Sequence, residues 1–149
     1  MDPFHKLTKM RTLLVDNDEL VRDGLRLVFI NKGCFLQATE TAEEGLCALE
    51  KESFDIIISD FRLPGIDGLE FFKQATISQP NAVNILISAY GNEEVVSQAS
   101  RIGVHDFIEK PFSIKTLITS LARLVEKRNV MSCKPEEEAQ SEAERKTVI

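Results

Sequence analysis

The sequence predicts an α/β protein in which helices cover both faces of a parallel five-stranded sheet. Three observations lead to this fold class. Five short apolar runs alternate with five segments that have helical periodicity. The run Ile56–Ile58 is β-branched and has no polar face, as is typical of a central strand buried between helices. Polar residues follow four of the runs, at the strand ends where open α/β sheets keep their reactive groups.

The composition is that of one globular domain with a short tail. The 149 residues are 43% hydrophobic and carry a formal net charge of −6. This charge argues against direct binding of nucleic acid or of a membrane surface. No apolar run approaches the roughly 20 residues of a membrane span. The three cysteines form no CxxC pair, which favours a reduced cytoplasmic protein.

The first half of the chain holds two βα units. Residues 12–15 predict the first strand, and a helix over 18–31 begins at an acidic N-cap candidate. Residues 34–38 predict the second strand, and Thr41 with Glu44 forms a capping-box pattern at the start of the second helix. Helical spacing predicts the core-facing residues: Val21, Gly24, Leu25 and Val28 in the first helix, and Ala42, Gly45, Leu46 and Leu49 in the second.

The second half holds three further units, with strands predicted at residues 55–60, 83–88 and 105–109. In the fourth helix, Val95 and Val96 are predicted to face the core. Turn and capping residues bound the helices: Asp67 and Pro80 for the third, Gly91-Asn92 and Gly103 for the fourth, and Ser113 at the start of the fifth.

The two ends of the chain lie outside this repeating pattern. Residues 1–9 are predicted to be an N-terminal extension of a domain that spans residues 10–128. Residues 129–149 are predicted to be a tail or linker. Within it, Pro135 precedes three glutamates, a pattern typical of the first turn of a helix. A short solvated helix or a linker is therefore expected for the tail, rather than a second domain.

Four polar side chains are predicted at the carboxyl edge of the sheet: Asp16, Asp60, Ser88 and Lys110. Alone, a strand-end aspartate is most often a helix cap and a Lys-Pro pair a turn, but four such groups in register favour a site. The oxygens of Asp16, Asn17 and Asp60 suit Mg²⁺. Lys110 and Ser88 would meet an anion beside the metal. This is the equipment for phosphoryl transfer, with Asp60 as the nucleophile.

Four motifs resemble the response-regulator receiver domain of two-component signalling, the CheY-like family. They are Leu13–Asp18 (LLVDND), Ile58–Gly68 (ISDFRLPGIDG), Ile87–Gly91 (ISAYG) and Gly103–Phe112 (GVHDFIEKPF). The match covers about residues 10–128. The resemblance implies a doubly wound (βα)5, flavodoxin-like three-layer sandwich with strand order 2-1-3-4-5.

The resemblance also implies a role for each site residue. Asp60 would be the phosphoacceptor, and the donor would be the phosphohistidine of a sensor histidine kinase or phosphotransfer protein. The other implied roles are Mg²⁺ binding by Asp16, Asn17, Asp60 and the Arg62 carbonyl, phosphoryl binding by Ser88 and Lys110, a switch aromatic at Phe107, and a cis peptide bond before Pro111.

The implied function is a signalling switch that works by phosphorylation. Apart from accepting the phosphoryl group and losing it slowly, such a domain is not an enzyme. The surface of the fourth helix, fifth strand and fifth helix would change on phosphorylation and control an output domain or a partner protein. The resemblance also allows a phosphorylation-dependent homodimer. No residue identifies the kinase, the stimulus or the output.

One position departs from the family pattern. Asn17 stands where Asp or Glu is usual, so we expect weaker Mg²⁺ binding without loss of activity. The alternative function is a degenerate receiver, an interaction module that does not depend on phosphate. Two enzyme classes are disfavoured. No glycine-rich phosphate loop follows any strand, and an aspartyl phosphatase would need an acid where Arg62 stands.

Overall fold

Five apolar runs of four to six residues form the strands of one parallel sheet in a computed structural model that describes residues 2–89 and 91–133. The strands are β1 (Arg11–Val15), β2 (Phe35–Thr39), β3 (Ile56–Asp60), β4 (Val83–Ser88) and β5 (Asp106–Glu109). The helices are α1 (Glu19–Asn31), α2 (Ala42–Lys51), α3 (Gly68–Ser78), α4 (Glu93–Ile102) and α5 (Ile114–Cys133).

The strand order is β2-β1-β3-β4-β5, so the predicted fold class is confirmed. All five residues of β3 are buried, because β1 and β4 pair with it on either side and helices cover both faces. The chain runs outward from β1 to β2, and then from β3 to β5 in the opposite direction. The carboxyl ends of β1 and β3 therefore lie at the switch point of the sheet, where ligands bind in open α/β folds.

Alternate residues of the strands face two separate hydrophobic cores. On one face, Leu14 and Ile58 pack with α1 and α5. On the other, Leu13 and Ile57 pack with α2, α3 and α4. Since each strand must supply apolar side chains to both faces, the central strands read as continuous apolar runs.

Side-chain caps begin four of the helices at the carboxyl edge of the sheet. Asp18, Thr41, Asp67 and Asn92 each accept a hydrogen bond from a backbone N–H group in the first turn of α1, α2, α3 and α4. Gly103 ends α4 with φ of +117°, a conformation that glycine adopts without steric cost. These caps hold the helix N-termini beside the strand ends that carry the polar residues.

The predicted core faces of α1 and α4 were wrong at two positions. Gly24 is exposed, and Leu25 with Phe29 forms the buried face of α1 instead. Val96 is 39% exposed, whereas its neighbour Val95 is 9% exposed. Both helices bury a narrow face, so apolar residues at the margin of the predicted stripe point to solvent.

The N-terminal segment packs against the domain. Pro3–Leu7 forms a 3₁₀ helix in which Leu7 is fully buried and Phe4 is 9% exposed. The Phe4 ring meets the Phe29 ring of α1 edge to face, with 6.1 Å between centroids. Lys6 forms an ion pair with Glu126 of α5. The predicted extension therefore adds apolar side chains to the core between α1 and α5.

Helix α5 continues beyond residue 128, where the sequence predicts the tail to begin. Arg128 anchors this end, because its Nη1 donates to the Asp55 carbonyl oxygen at 3.1 Å and its Nη2 lies 3.5 Å from Asp55 Oδ1. The helix reaches Cys133. Residues 134–149, with the helix expected after Pro135, lie outside the described residues. Within residues 2–89 and 91–133, no helix has the length and apolar character needed to cross a membrane.

We predict that Phe4→Ala destabilises the domain by about 2–4 kcal/mol, because it removes a buried ring from the core beside Phe29. Urea unfolding followed by circular dichroism measures the change. Ile77→Ala is the matched control, since this α3 side chain is 83% exposed. Equal stability of Phe4→Ala and the parent protein would show that the N-terminal helix is not part of the folding unit.

Candidate functional site

The candidate site lies at the carboxyl ends of four strands. Asp60 is the last residue of β3 and Ser88 the last residue of β4. Asp16 follows β1, and Lys110 follows β5. Asp16 and Ser88 are fully buried, and Asp60 is 8% exposed. Two carboxylates are thus held in the protein interior beside the half-buried Lys110, which requires that the charges balance one another.

The Lys110 ammonium group joins the two carboxylates. Its Nζ lies 3.0 Å from Asp60 Oδ2 and 3.0 Å from Asp16 Oδ2. It also lies 3.3 Å from Asp16 Oδ1. Two carboxylates and one ammonium leave a formal charge of −1 in the site. A divalent cation would make the site positive, and it could then accept a phosphoryl group.

The two oxygens of Asp16 have different surroundings. Oδ1 accepts a hydrogen bond from the Asp18 backbone N–H at 2.8 Å. Oδ2 is buried and accepts no hydrogen bond from the described residues, although Lys110 Nζ is close to it. The contact of Lys110 with Oδ2 is therefore an ion pair without hydrogen-bond alignment, whereas Oδ1 also accepts a hydrogen bond from Lys110 Nζ. Burial raises the pKa of the Asp16 carboxyl, and the nearby charge of Asp60 also raises it, against the lowering effects of Asp18 and Lys110.

The pKa of Lys110 changes in the direction that its partners dictate. Burial lowers this pKa, because it disfavours the charged ammonium. The hydrogen bonds and charges of Asp60 and Asp16 raise it, and the net result is a pKa above the ordinary value of 10.5. Lys110 therefore remains a cation, and it is available to pair with an anion placed beside Asp60.

The remaining predicted site residues lie close to this centre along the chain. Asn17 and Arg62 are exposed, one residue after Asp16 and two residues after Asp60. Phe107 is half-buried against the core that α2, α3 and α4 cover. The peptide bond between Lys110 and Pro111 is cis, the isomer that the resemblance implies. The Ser88 carbonyl oxygen accepts a hydrogen bond from the Lys110 N–H at 2.8 Å, which links the ends of β4 and β5.

Gly68 positions the backbone of the candidate nucleophile, a role that its sequence context did not reveal. An ideal Cβ at this position would lie 2.3 Å from the Asp60 carbonyl oxygen and 2.9 Å from the Phe61 Cα. Gly68 N–H donates to the Phe61 carbonyl oxygen at 2.7 Å. The sequence shows Gly68 only as a turn residue, because a close approach between distant backbone atoms leaves no local pattern.

Arg22 is a second contact that the sequence did not reveal. Its Nη1 donates to the Asp16 carbonyl oxygen at 2.8 Å. Arg22 lies six residues after Asp16, and no sequence motif predicts a contact at that spacing. This bond ties the first turns of α1 to the end of β1, so it helps to fix the backbone on which the Asp16 carboxylate stands.

The donor set fits a magnesium ion. Within residues 2–89 and 91–133, no three His, Cys, Asp or Glu side chains form a cluster that could hold a metal. Magnesium does not require one, because it binds through one or two carboxylates and keeps several waters. The Asp16 oxygen without a hydrogen-bond donor and the neighbouring Asp60 carboxylate match that requirement. Residues Asp16 and Asp60 would thus hold the ion.

Comparison with known proteins agrees with the geometry. The family model described as "Response regulator receiver domain" matches residues 12–122. The chain belongs to this family. Receiver domains bind Mg²⁺ at their phosphorylation site and generally act as signalling phosphoacceptors.

Two curated regulators illustrate the relationship. The C4-dicarboxylate transport transcriptional regulatory protein DctD of Rhizobium meliloti is 33% identical over 118 residues, which are 79% of this chain and 26% of DctD. The transcriptional regulatory protein FixJ of Bradyrhizobium diazoefficiens is 30% identical over 122 residues, which are 80% of this chain and 60% of FixJ. The receiver thus spans only part of each regulator that it matches.

A solved receiver domain confirms the fold. The response regulator receiver domain protein (CheY-like) from Methanospirillum hungatei JF-1 aligns with a TM-score of 0.78 and 25% sequence identity. The alignment covers 80% of this chain and 96% of that one. Almost the whole of that receiver therefore has a counterpart here.

We predict that Gly68→Ala displaces the Asp60 backbone and destabilises the domain by about 2–4 kcal/mol, because the new methyl group has no space beside the Asp60 carbonyl oxygen. Gly24→Ala is the control. Nothing lies within 4 Å of its ideal Cβ, so alanine should be neutral or stabilise α1 by about 0.5–1 kcal/mol. Urea unfolding measures both variants. A Gly68→Ala variant as stable as Gly24→Ala would contradict the assigned role.

Proposed function

We propose that this domain is a phosphorylation-dependent signalling switch in which Asp60 accepts the phosphoryl group. One observation carries the proposal. The Lys110 ammonium lies 3.0 Å from the carboxylates of both Asp16 and Asp60, at the edge of the sheet where three βα units meet. A buried cation between two acids is costly as a structural device alone. It is useful where a charge must be added and then neutralised.

The transfer step uses the Asp60 carboxylate as the nucleophile. One carboxylate oxygen attacks the phosphorus atom of a phosphohistidine, the P–N bond breaks, and the imidazole nitrogen keeps the electron pair. The product is an acyl phosphate on Asp60. Lys110 pairs with the phosphoryl oxygens, and Ser88 donates a hydrogen bond to them. Positioning and charge neutralisation therefore supply most of the catalysis.

Asp16 and Asp60 would hold Mg²⁺, with the Asn17 side chain and the Arg62 backbone carbonyl as further oxygen ligands. When bound, the ion neutralises charge on the transferring phosphoryl group. Asn17 offers an amide oxygen without a charge, so the site relies on two carboxylates. Arg22 fixes the Asp16 backbone, and Lys110 keeps the two acids close while their charges repel.

The partners follow from the chemistry. The donor is a sensor histidine kinase or phosphotransfer protein, and the phosphorylated domain controls an output domain or partner through the surface of α4, β5 and α5. Phosphorylation adds about −1.5 to −2 charges, which would draw Ser88 and the loop after β4 toward Asp60 and let Phe107 change position. We place the receiver at residues 10–128 and a tail or linker at residues 129–149, of which residues 129–133 continue α5, in a cytoplasmic protein that does not bind nucleic acid through this chain.

A degenerate receiver is the alternative, and only Asn17 supports it. In such a protein, the buried Lys110 would have no reason to face two acids rather than apolar packing. The presence of Asp16, Asp60, Ser88 and Lys110 in one site favours the switch.

Intact mass spectrometry after incubation with acetyl phosphate and Mg²⁺ tests the proposal. We predict that the parent protein gains the mass of one phosphoryl group and that Asp60→Asn gains none, because an amide cannot form the acyl phosphate. Asp23→Asn is the matched control, since Asp23 is exposed on α1. It should be phosphorylated like the parent. A parent protein that gains no mass would favour the degenerate receiver.

The ligand role of Asn17 has a separate test. We predict that Asn17→Asp raises Mg²⁺ affinity by roughly tenfold, because a third carboxylate adds charge at the ion. Isothermal titration calorimetry measures the affinity. Asn31→Asp adds the same charge at the other end of α1 and should have little effect. Equal affinities in the two variants would show that residue 17 does not contact the ion.

A further inference from the structure

The Phe107 ring borders two grooves on the α4–β5 surface. One groove, of about 420 Å³, is also bordered by Gly91, Val96 and Glu109. The other, of about 380 Å³, is also bordered by Ala99 and His105. Because the ring adjoins open space in both grooves, it has room to move at this surface. Small neighbouring groups can therefore decide where it rests.

A side chain at residue 91 would make a tight contact with the ring. An ideal Cβ at Gly91 would lie 3.3 Å from Phe107 Cε1 and 3.7 Å from Cζ. The first distance is below an ordinary carbon–carbon contact, so the ring would have to shift by a few tenths of an ångström. The next atom along, Glu109 Cδ, lies at 3.9 Å and would be in ordinary contact.

The backbone does not explain the glycine. Gly33, Gly65 and Gly103 have positive φ angles, whereas Gly91 does not. An alanine at residue 91 would therefore adopt the same backbone without strain. Alanine would instead change the contact with the Phe107 ring. The absence of a side chain at residue 91 therefore affects the position of the ring and not the backbone conformation of the turn.

Gly91 also lies on the short path between the candidate site and α4. It follows Ser88 by three residues and precedes Asn92, whose side chain caps α4 through the Val95 N–H at 2.8 Å. Ser88 pairs in register with Glu109, two residues after Phe107. A movement of the Ser88 backbone would therefore displace both Gly91 and Phe107.

We propose that Gly91 is a positioning residue that leaves room for Phe107 in its present place and so holds the switch toward this conformation. The inference rests on the proposed function. A side chain at residue 91 would push the ring out of this position, and we infer that the displaced ring belongs to the conformation that an anion on Asp60 favours. A variant that favours this conformation must also bind the anion more tightly, because the conformational equilibrium and anion binding are thermodynamically linked.

Two measurements test this assignment. Beryllofluoride with Mg²⁺ stands in for the phosphoryl group on Asp60. The Phe107 ring is followed in ¹H–¹³C spectra of protein labelled at its phenylalanine rings, and its signal among the nine phenylalanines is identified by its loss in Phe107→Leu. The beryllofluoride midpoint is measured by titration of the backbone amide signals of α4, which contains no phenylalanine, so the midpoint can also be measured when Phe107 is replaced.

In Gly91→Ala without beryllofluoride, we expect the Phe107 signal to move part of the way to its position in the saturated parent protein. Gly91→Val should move it further. The beryllofluoride midpoint should fall by about twofold to tenfold in Gly91→Ala. Gly24→Ala, which adds a methyl group in open space, should leave both values unchanged. In the Phe107→Leu background, Gly91→Ala should no longer change the midpoint, because the ring it displaces is absent.

The possible outcomes distinguish a failure of the Gly91 assignment from a failure of the proposed function. A parent protein that acetyl phosphate does not phosphorylate overturns the proposed function, and the inference with it. A parent that is phosphorylated, alongside a Gly91→Ala variant whose Phe107 signal stays in place or moves away from the saturated position, overturns the Gly91 assignment alone. A midpoint change of the same size with and without the Phe107 ring also overturns it.

Discussion

The structure depends on the ion pairs that Lys110 makes with Asp16 and Asp60. The three residues come from the ends of β5, β1 and β3, so the contact exists only when the sheet has its observed order. Loss of one member of such a buried cluster typically costs about 3–5 kcal/mol, because the remaining charges are left without a partner. Hydrophobic side chains of similar size would pack there without that risk. The charged arrangement therefore indicates selection for chemistry and not for stability.

The sequence was sufficient to predict the sheet and the chemical nature of its edge. The apolar run of β3 leaves no polar face, and Asp60 ends it, so both the burial of the strand and the position of a candidate site could be predicted from adjacent residues. The caps at Asp18 and Thr41 were equally local, since a cap and its N–H partner are three residues apart or fewer. Features that depend on two or four neighbouring residues were predicted well.

Features that depend on distant atoms were not predictable in the same way. Gly68 is constrained by the Asp60 carbonyl oxygen, and Phe4 by the Phe29 ring, and neither contact leaves a periodic trace in the chain. The helical pattern also placed Gly24 and Val96 in the core, although only a narrow stripe of each helix is buried. Periodicity gives the centre of such a stripe, whereas the packed neighbours set its width.

Asp16 shows how the fold keeps the site ready to bind. Its Oδ2 atom is buried without a hydrogen-bond donor among the described residues, an arrangement that folded proteins generally avoid. Burial also raises the pKa of its carboxyl group, so the ionised form is less favoured here than in water. A water-exposed carboxylate would avoid both costs, but it would lose the orientation that the Asp18 N–H gives to the carboxylate and that Arg22 supports by holding the Asp16 backbone. The unfavourable placement is understandable if a cation completes the coordination of this oxygen, since the ion supplies both the missing partner and the missing charge.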